Sequence, residues 1–356
     1  MEENWKKNTA LFICGQALSL FGSMVSQYAI LWHVILKTQS GSMMTIYTFA
    51  GFIPMFFISP FGGVWADRFN RKYIISIADG AIALVSLIVA LLLMQGYTHY
   101  GILLACAAVR SLGQGIHTPA IGAFIPQIVP KEHLTKVNGI QGSIQSMSML
   151  ASPMIAGVLM SFTPLETLFF LDVVTASIGI SILLFFVKTP EKPEKPEKPI
   201  EEKKSLNYFH DLSEGLRYIT KHGFIFRMIL LSAVFSIFVA PTALLSPLQV
   251  TRNFGNDVWR LTAIEITFSV GMIAGGLIIA AWGGFRNKVF TMALASLLLG
   301  LQSIGLGLAS NFWLYIGIMA AAGITLPLFN TPAMVLLQST VEPEFMGRVL
   351  SVFAMV

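Results

Sequence analysis

Two carboxylates of this sequence, Asp172 and Glu265, stand inside long apolar runs where a charge needs a special reason. A carboxylate or imidazole in such a place can bind a proton in one state of a protein and release it in another, because burial disfavours the charged form. Each of the two lies about two helical turns from the end of its run. The sequence therefore predicts that Asp172, Glu265 or both couple a proton movement to another event.

Three further titratable residues lie in apolar runs, and alternative roles remain open for them. Asp79 is near the end of its run, where it either pairs with the cations of the preceding loop or takes part in proton binding. His117 precedes Thr118 and Pro119, so we expect it mainly to satisfy carbonyls that the proline frees. His33 is near a run's end and reads as an interfacial polar residue.

Arg110 lies roughly ten residues inside its run, which corresponds to a depth of about 15 Å in a helix. An arginine at that depth is costly unless it faces water or a partner. One interpretation is a functional charge; the other is a structural arginine bonded to backbone carbonyls or to Gln114.

The elements that position these residues are membrane-spanning helices. Of the 356 residues, 55% are hydrophobic and 12% charged, whereas soluble domains carry about 25% charged residues. Apolar runs long enough to cross a bilayer recur through the chain and predict an all-α membrane protein with ten full spans. The predicted spans are 9–36, 43–65, 73–94, 100–128, 137–162, 166–188, 224–250, 258–281, 289–309 and 311–338.

Lysine and arginine placement predicts the orientation. Nearly all of the 23 basic residues fall in alternate loops, and the exceptions are Lys37, Arg252, Arg260 and the intramembrane Arg110. The positive-inside rule then places the N-terminus in the cytoplasm of a multi-pass cell-membrane protein. The net charge of +5 is explained by these loops, so no nucleic-acid partner is expected.

Several kinds of chemistry are disfavoured by the sequence. The two cysteines, Cys14 and Cys106, provide neither a disulfide framework nor a metal-ligand spacing. A phosphate-binding loop of the form G-x-x-x-x-G-K-[ST] is missing from the sequence, so ATP hydrolysis is not expected. We therefore expect no enzyme activity, no catalytic residue, no cofactor and no metal, and a monomer that handles a small molecule and protons within the lipid bilayer.

A polar stretch divides the chain. Residues 188–204 contain EKPEKPEKP, which predicts a solvated tether, and residues 206–222 have the apolar spacing of a helix on the membrane surface. The predicted organisation is a six-helix bundle at 1–188, a cytoplasmic linker with a surface helix at 189–222, and an incomplete second bundle at 223–356.

An internal duplication supports two related halves. The stretch His117 to Ala120 recurs as Asn330 to Ala333, and Gly62-Gly63 recurs as Gly275-Gly276, both at an offset of about 213 residues. The same offset predicts two more spans, near 350–375 and 379–401, and the apolar run from near Val349 is the start of the first of them. We therefore expect the chain to be C-terminally truncated.

The loop after the second span resembles a signature of the major facilitator superfamily, G-x-x-x-D-R-x-G-R-K. Its matching residues are Gly63, Asp67, Arg68, Arg71 and Lys72. Asn70 replaces a glycine of that signature, and we expect it to keep a turn with positive φ. The resemblance implies a gating loop in which Asp67 pairs with a neighbouring helix end; an ordinary positive-inside loop is the alternative.

Two other motifs resemble the same superfamily. Arg110 and Gln114 fit R-x-x-x-Q-G, which implies proton coupling or sensing of substrate charge. A second set fits the antiporter motif G-x8-G-x3-G-P-x2-G-G with small replacements, and the alternative for it is generic small-residue packing. That set consists of Gly139, Ser148, Ser152, Pro153 and Gly157.

The whole chain is similar to the macrolide efflux subgroup, notably around Leu171-Asp172-Val173, Glu265-Ile266 and Gly271 to Gly276. This implies a 12-span fold of two pseudo-symmetric bundles and export of a drug-like apolar compound by proton antiport with alternating access. Two rival hypotheses are a narrow-substrate metabolite or siderophore exporter and a truncated membrane protein that does not transport.

Overall fold

The computed structural model confirms an all-helical fold for the residues that it describes. These are residues 2–188 and 217–342, with residues 345, 349, 352 and 353. The side chains of residues 2–4, 67, 131, 135, 136 and 338 lie outside the description. So do the predicted tether, most of the predicted surface helix, and most of the apolar run after Val349.

Among the described residues, ten long helices follow one another, and each coincides with one predicted span. A 3-10 turn at Lys131–His133 precedes the fifth helix, and the sixth continues into a π-helical turn at Ile182–Phe186. The helices are α1 (Glu2–Thr38), α2 (Gly41–Arg68), α3 (Arg71–Met94), α4 (Tyr100–Ile128), α5 (Leu134–Phe162), α6 (Leu165–Ser181), α7 (Gly223–Asn253), α8 (Val258–Trp282), α9 (Lys288–Leu308) and α10 (Phe312–Thr340).

Nine of these helices, among the described residues, are long and apolar enough to cross a membrane. The other one, α4, contains Arg110, Gln114 and His117, which lower its hydropathy. Its 29 residues nevertheless exceed the roughly 20 that span a bilayer core. Large apolar side chains such as Phe57 and Phe238 are exposed on the helices, as expected for surfaces that contact lipid.

The chain divides into two compact units. One contains α1 to α6 with the segment Asn256–Thr262, and the other contains α7, the remainder of α8, α9 and α10. Within the first unit, α2 packs on α4, α1 packs on α5 and α6, and α3 packs on α4 and α6. Four helices of this unit, α1, α3, α4 and α6, therefore share one interior.

Two apolar clusters fill that interior at different depths. One cluster includes Phe12, Ile75, Phe124 and Leu183. The other includes Ile30, Val89, Cys106 and Phe169. Along α1, α3, α4 and α6, the residues between these two clusters form a separate layer, and the buried charges of this unit lie there.

The second unit has its own core, in which Phe235 of α7 stacks on Phe329 of α10 with ring centroids 3.7 Å apart. Residues 217–221 are helical, and Ile219 is buried against α7 and α10. Tyr218 stacks on Phe345 at 4.3 Å. This end of the predicted surface helix therefore packs on α7 and α10, which bury its apolar side chains.

Structural features of the two units repeat at the positions that the duplication predicts. A Cβ on Gly62 of α2 would lie 2.7 Å from the carbonyl oxygen of Gly115 in α4. Similarly, a Cβ on Gly275 of α8 would overlap the backbone of Ile324 in α10. Because only glycine permits these approaches, the matched glycines set equivalent helix contacts in both units.

Candidate functional site

Two cations at the start of α3, Arg71 and Lys72, bind carbonyl oxygens near the ends of three helices. Arg71 donates from Nε to the carbonyl oxygen of Ala66 at 2.9 Å and from Nη1 to that of Ala123 at 2.8 Å. Lys72 Nζ donates to the carbonyl oxygen of Val187 at 2.8 Å. These carbonyls lie near the C-terminal ends of α2, α4 and the extension of α6, where the helix dipole favours positive charge.

The other residues of the predicted gating loop are less engaged. Gly63 has open space around the position of a Cβ, and Arg68 is exposed at the end of α2. Asp67 is part of α2, but its side chain lies outside the described residues. The pairing of Asp67 with a neighbouring helix end therefore stays a prediction.

The prediction of a positive φ at Asn70 is wrong. Asn70 has φ −69° and ψ 113°, and its side chain accepts a hydrogen bond from the backbone nitrogen of Lys72 at 3.0 Å. It is the N-cap of α3, a position that asparagine favours because its side chain satisfies a free backbone N–H. Asn287 caps α9 in the same way, accepting from Val289.

Replacing Asn70 with alanine should destabilise the protein by about 1 kcal/mol, because one N–H of the first turn loses its partner. Asn70→Ser should keep most of the stability, since serine also caps helices. Thermal unfolding followed by fluorescence-detected size-exclusion chromatography in detergent would compare the two variants. Equal melting temperatures for both would contradict a capping role.

Arg110 and Asp172 form an ion pair in the layer between the two apolar clusters. Asp172 is fully buried and Arg110 is 5% exposed. The hydroxyls of Ser23 and Ser86 donate to the two carboxylate oxygens of Asp172 at 2.8 and 2.7 Å. Arg110 also donates to the Ser86 hydroxyl at 2.6 Å and to the carbonyl oxygen of Ser23 at 2.8 Å.

This network joins α1, α3, α4 and α6, and both oxygens of the carboxylate have partners. A buried ion pair is tolerated only when such additional hydrogen bonds offset the loss of hydration. The bond of Arg110 to the carbonyl oxygen of Ser23 agrees with the structural interpretation, and a functional charge at Arg110 stays a prediction. Gln114 takes no part: Arg110 bonds to Asp172 instead.

Sequence reasoning missed Ser23 and Ser86, which complete the network. Neither serine stands out in the sequence, because serine is frequent in membrane helices and usually bonds to its own helix backbone. A usable signal was the spacing of Ser19, Ser23 and Ser26, which places three hydroxyls on one face of α1. All three are buried.

The residues of the predicted antiporter motif occupy one helix but different environments. Ser148, Ser152, Pro153 and Gly157 are buried on α5. Gly139, near the start of that helix, is exposed with open space beside it. The buried part of the motif is consistent with close packing; its predicted role in preventing leak stays a prediction.

Glu265 lines a cavity of about 270 Å³ inside the second unit, enclosed by α7 to α10. Most of the wall is apolar, and the polar exceptions include Ser246 and Gln302. Within the described residues, the Glu265 carboxylate has neither a hydrogen bond nor an ion pair. The Oε1 atom of Gln302 also lacks a partner among the described residues, so two unpaired oxygen acceptors border this cavity.

The arrangement provides two different carboxylates. Asp172 is held by an arginine and two hydroxyls, whereas Glu265 borders a cavity and has no partner in the described part of the chain. In the part of the chain that the structure describes, no group of three His, Cys, Asp or Glu residues could hold a metal ion. The geometry is thus suited to holding and exchanging a proton or a positively charged group.

Comparison with known proteins supports a transporter. Residues 11–356 match the sequence profile of the Major Facilitator Superfamily. Macrolide efflux protein A of Streptococcus pyogenes is 29% identical over 352 residues, which is 98% of this chain and 85% of that protein. The Enterococcus faecalis protein of the same name is 28% identical over 88% of this chain and 96% of its own length. The Staphyloferrin A transporter of Staphylococcus aureus is 22% identical over 98% of this chain and 85% of its own length.

Solved structures agree on the fold. A bacterial homologue of the human lysosomal transporter Spinster superposes with a TM-score of 0.72 at 15% identity, covering 100% of this chain and 79% of that one. A bacterial homologue of the iron transporter ferroportin gives 0.68 at 14% identity, covering 98% of this chain and 88% of that one.

Proposed function

The chain belongs to the Major Facilitator Superfamily, and on that premise we propose that it exports a drug-like, largely apolar compound by proton antiport. A macrolide-type antibiotic is the favoured substrate class, because two macrolide efflux proteins are 29% and 28% identical to most of the chain. Transport takes place in the cell membrane by alternating access, with the N-terminus in the cytoplasm and one chain as the working unit.

Glu265 carries the proton part of this proposal. An ionised carboxylate against an apolar wall costs free energy unless a positive partner is present. A bound proton removes that cost, and so does a cationic group on a ligand. If proton and substrate exclude each other at Glu265, release of one accompanies binding of the other, which is the requirement for antiport.

Asp172 is the less favourable candidate for this exchange. Its oxygens already accept hydrogen bonds from Ser23, Ser86 and Arg110, so a proton could be taken up only after Arg110 moved away. In this proposal the Arg110–Asp172 pair has a structural role and holds α1, α3, α4 and α6 together. Gln114, which is free of that network, remains a candidate for contact with substrate.

The loop between α2 and α3 supplies the gate in this proposal. Arg71 and Lys72 hold the ends of α2, α4 and α6 through carbonyl contacts. In the other access state of the transporter, Asp67 pairs with a neighbouring helix end, and the carbonyl contacts of Arg71 and Lys72 give way to that pairing. The buried small residues of α5, Ser148 to Gly157, form the seam that limits leak during the exchange.

Reconstituted protein tests the function directly. Proteoliposomes that contain the chain should accumulate radiolabelled erythromycin, a macrolide, when a pH gradient is imposed, and a protonophore should abolish the accumulation. Liposomes without protein provide the baseline. Accumulation at that baseline in the presence of the gradient would contradict proton-driven transport of macrolides.

The alternative is export of a siderophore or another narrow class of metabolite, supported by the similarity to the Staphyloferrin A transporter. A panel of labelled macrolides and ferric siderophores, offered to the same proteoliposomes, separates the two hypotheses. Transport restricted to one siderophore would favour the alternative.

A further inference from the structure

A second titratable cluster lies in the first unit, apart from the Arg110–Asp172 network. His117 of α4 places Nε2 3.1 Å from Oδ1 of Asp79 on α3 and 2.9 Å from Oε1 of Gln16 on α1. Asp79 is 5% exposed and Gln16 is 8% exposed. Both neighbours of Nε2 are acceptors, so the proton of the neutral imidazole belongs on Nε2.

The tautomer leaves the other ring nitrogen available. With its hydrogen on Nε2, His117 carries a lone pair on Nδ1, and no hydrogen bond of Nδ1 is found within the described chain. The carboxylate behind the ring fixes its orientation and stabilises the imidazolium ion, as in a general-base dyad. One proton added from water to Nδ1 therefore converts a negative cluster into a neutral one.

The cluster also borders open space. His117 and Gln16 line a cavity of about 300 Å³ within the first unit, formed by α1, α4 and α5. The rest of its polar wall consists of neutral side chains, Thr118, Asn138, Gln141 and Gln145. Water in this cavity can deliver a proton to the ring without passing through the apolar clusters.

The hydrogen bonding of this cluster is incomplete, in contrast to that of Asp172. Oδ2 of Asp79 and Nε2 of Gln16 are buried and have no partner among the described residues. A purely structural ion pair in a low-dielectric layer is expected to satisfy such atoms. An unsatisfied acceptor beside a histidine suits a group that changes its protonation state.

The nearest arginines on α3 and α4 do not belong to this cluster. Arg110 is about 10 Å away along α4 and is paired with Asp172, and Arg71 is about 12 Å away along α3 and bonds to carbonyls. The helices packed around the cluster carry other charged and titratable groups, and the side chains of Glu2, Glu3, Asp67, Lys131 and Lys136 among them are not described. The described ones are Lys6, Lys7, Cys14, Tyr28, His33 and Lys37 on α1, Tyr47 and Arg68 on α2, Arg71, Lys72 and Tyr73 on α3, Tyr100, Cys106 and Arg110 on α4, Glu132 and His133 before α5, and Glu166 and Asp172 on α6.

We propose that Asp79 and His117 form a proton-binding pair, which the first-unit cavity reaches through His117, and that the transporter loads a second proton there. This pair adds a second proton site to the proposed antiport, and the inference rests on that proposed function. Glu265 exchanges its proton for substrate in the second unit, whereas this pair adds a proton to each cycle. Two protons per substrate would steepen the dependence of accumulation on the pH gradient.

Accumulation at a clamped membrane potential measures the number of protons. Each coupled proton multiplies the limiting accumulation ratio about tenfold at a gradient of about one pH unit. Asp79→Asn and His117→Asn should therefore lower the accumulation of erythromycin in proteoliposomes about tenfold, while counterflow without a gradient persists. His99→Asn is the matched control, because His99 is an exposed N-cap of α4 and asparagine also caps helices.

Protonation itself is measured without substrate, by infrared difference spectra of the reconstituted protein between about pH 5 and pH 8, where histidine changes charge. His117→Asn should remove an imidazolium band that remains in His99→Asn, and Asp79→Asn should alter it. If both Asp79→Asn and His117→Asn accumulate erythromycin as the wild type does and keep the imidazolium band unchanged, Asp79 and His117 do not form a proton-binding pair. If wild-type protein lacks counterflow and accumulation, the proposed function fails, and the infrared spectra still decide on the pair.

Discussion

Replacing Arg110 with leucine is expected to destabilise the protein by about 3–5 kcal/mol, the usual result of removing one member of a buried ion pair. The variant leaves the carboxylate of Asp172 fully buried without its counter-charge, and only the hydroxyls of Ser23 and Ser86 remain. The network connects four helices, so its loss should loosen the whole first unit. We expect a large fall in the amount of folded protein and in its melting temperature in detergent.

Arg260→Leu is the matched control for Arg110→Leu. Arg260 also pairs with an aspartate, Asp257, but Asp257 is 51% exposed, and exposed pairs contribute about 1 kcal/mol or less. A double variant, Arg110→Leu with Asp172→Leu, should recover part of the lost stability, because no unpaired charge remains. Similar melting temperatures for Arg110→Leu and Arg260→Leu would show that the buried network is not a stabilising element.

The helices were predictable because membrane spans depend on long apolar runs and on charged loops between them. All ten predicted spans coincide with helices, and even the deep Arg110 did not interrupt α4. The equivalent glycine contacts of Gly62 and Gly275 were likewise foreseeable from the offset of the duplication. Such features are local in sequence or repeat at a fixed distance, so one sequence is enough to find them.

Partnerships between distant helices could not be predicted in the same way. Arg110 and Asp172 were each singled out, but the sequence does not show that they lie on facing sides of α4 and α6. The same holds for Asp79 and His117: the sequence leaves Asp79 as a partner of loop cations or a proton-binding group, favours a structural role for His117, and does not show that the two meet. Side-chain pairing depends on the rotation of each helix within the bundle, and the helices here expose apolar residues to lipid as well as to the core, which weakens the periodic signal.

Asn70 shows a different limit. The superfamily signature has a glycine at this position, which predicts a turn with positive φ. The residue instead caps α3, because asparagine can satisfy a free N–H that glycine cannot. A departure from a motif can therefore mark a change in local structure, here from a flexible turn to a fixed helix start, even where the neighbouring Arg71 and Lys72 match the motif.

Replacing Glu265 with glutamine is expected to abolish accumulation of substrate against a gradient while counterflow persists. Glutamine keeps the size and polarity of the side chain, so the 270 Å³ cavity should retain its shape, but it cannot take up or release a proton. Without that exchange, substrate binding no longer requires proton release, and the transporter should become a passive carrier. Proteoliposomes with an imposed pH gradient would show accumulation near the protein-free baseline.

Glu166→Gln is the control for this variant, because Glu166 lies in the first turn of α6 and not on the cavity wall. It should accumulate substrate as the wild type does. Asp172→Asn should behave differently from Glu265→Gln, since it disturbs a satisfied network and lowers the amount of folded protein before it affects coupling. If Glu265→Gln accumulates substrate normally and Asp172→Asn folds but fails to accumulate it, the exchanging carboxylate is Asp172, and the Arg110 network must open during each cycle.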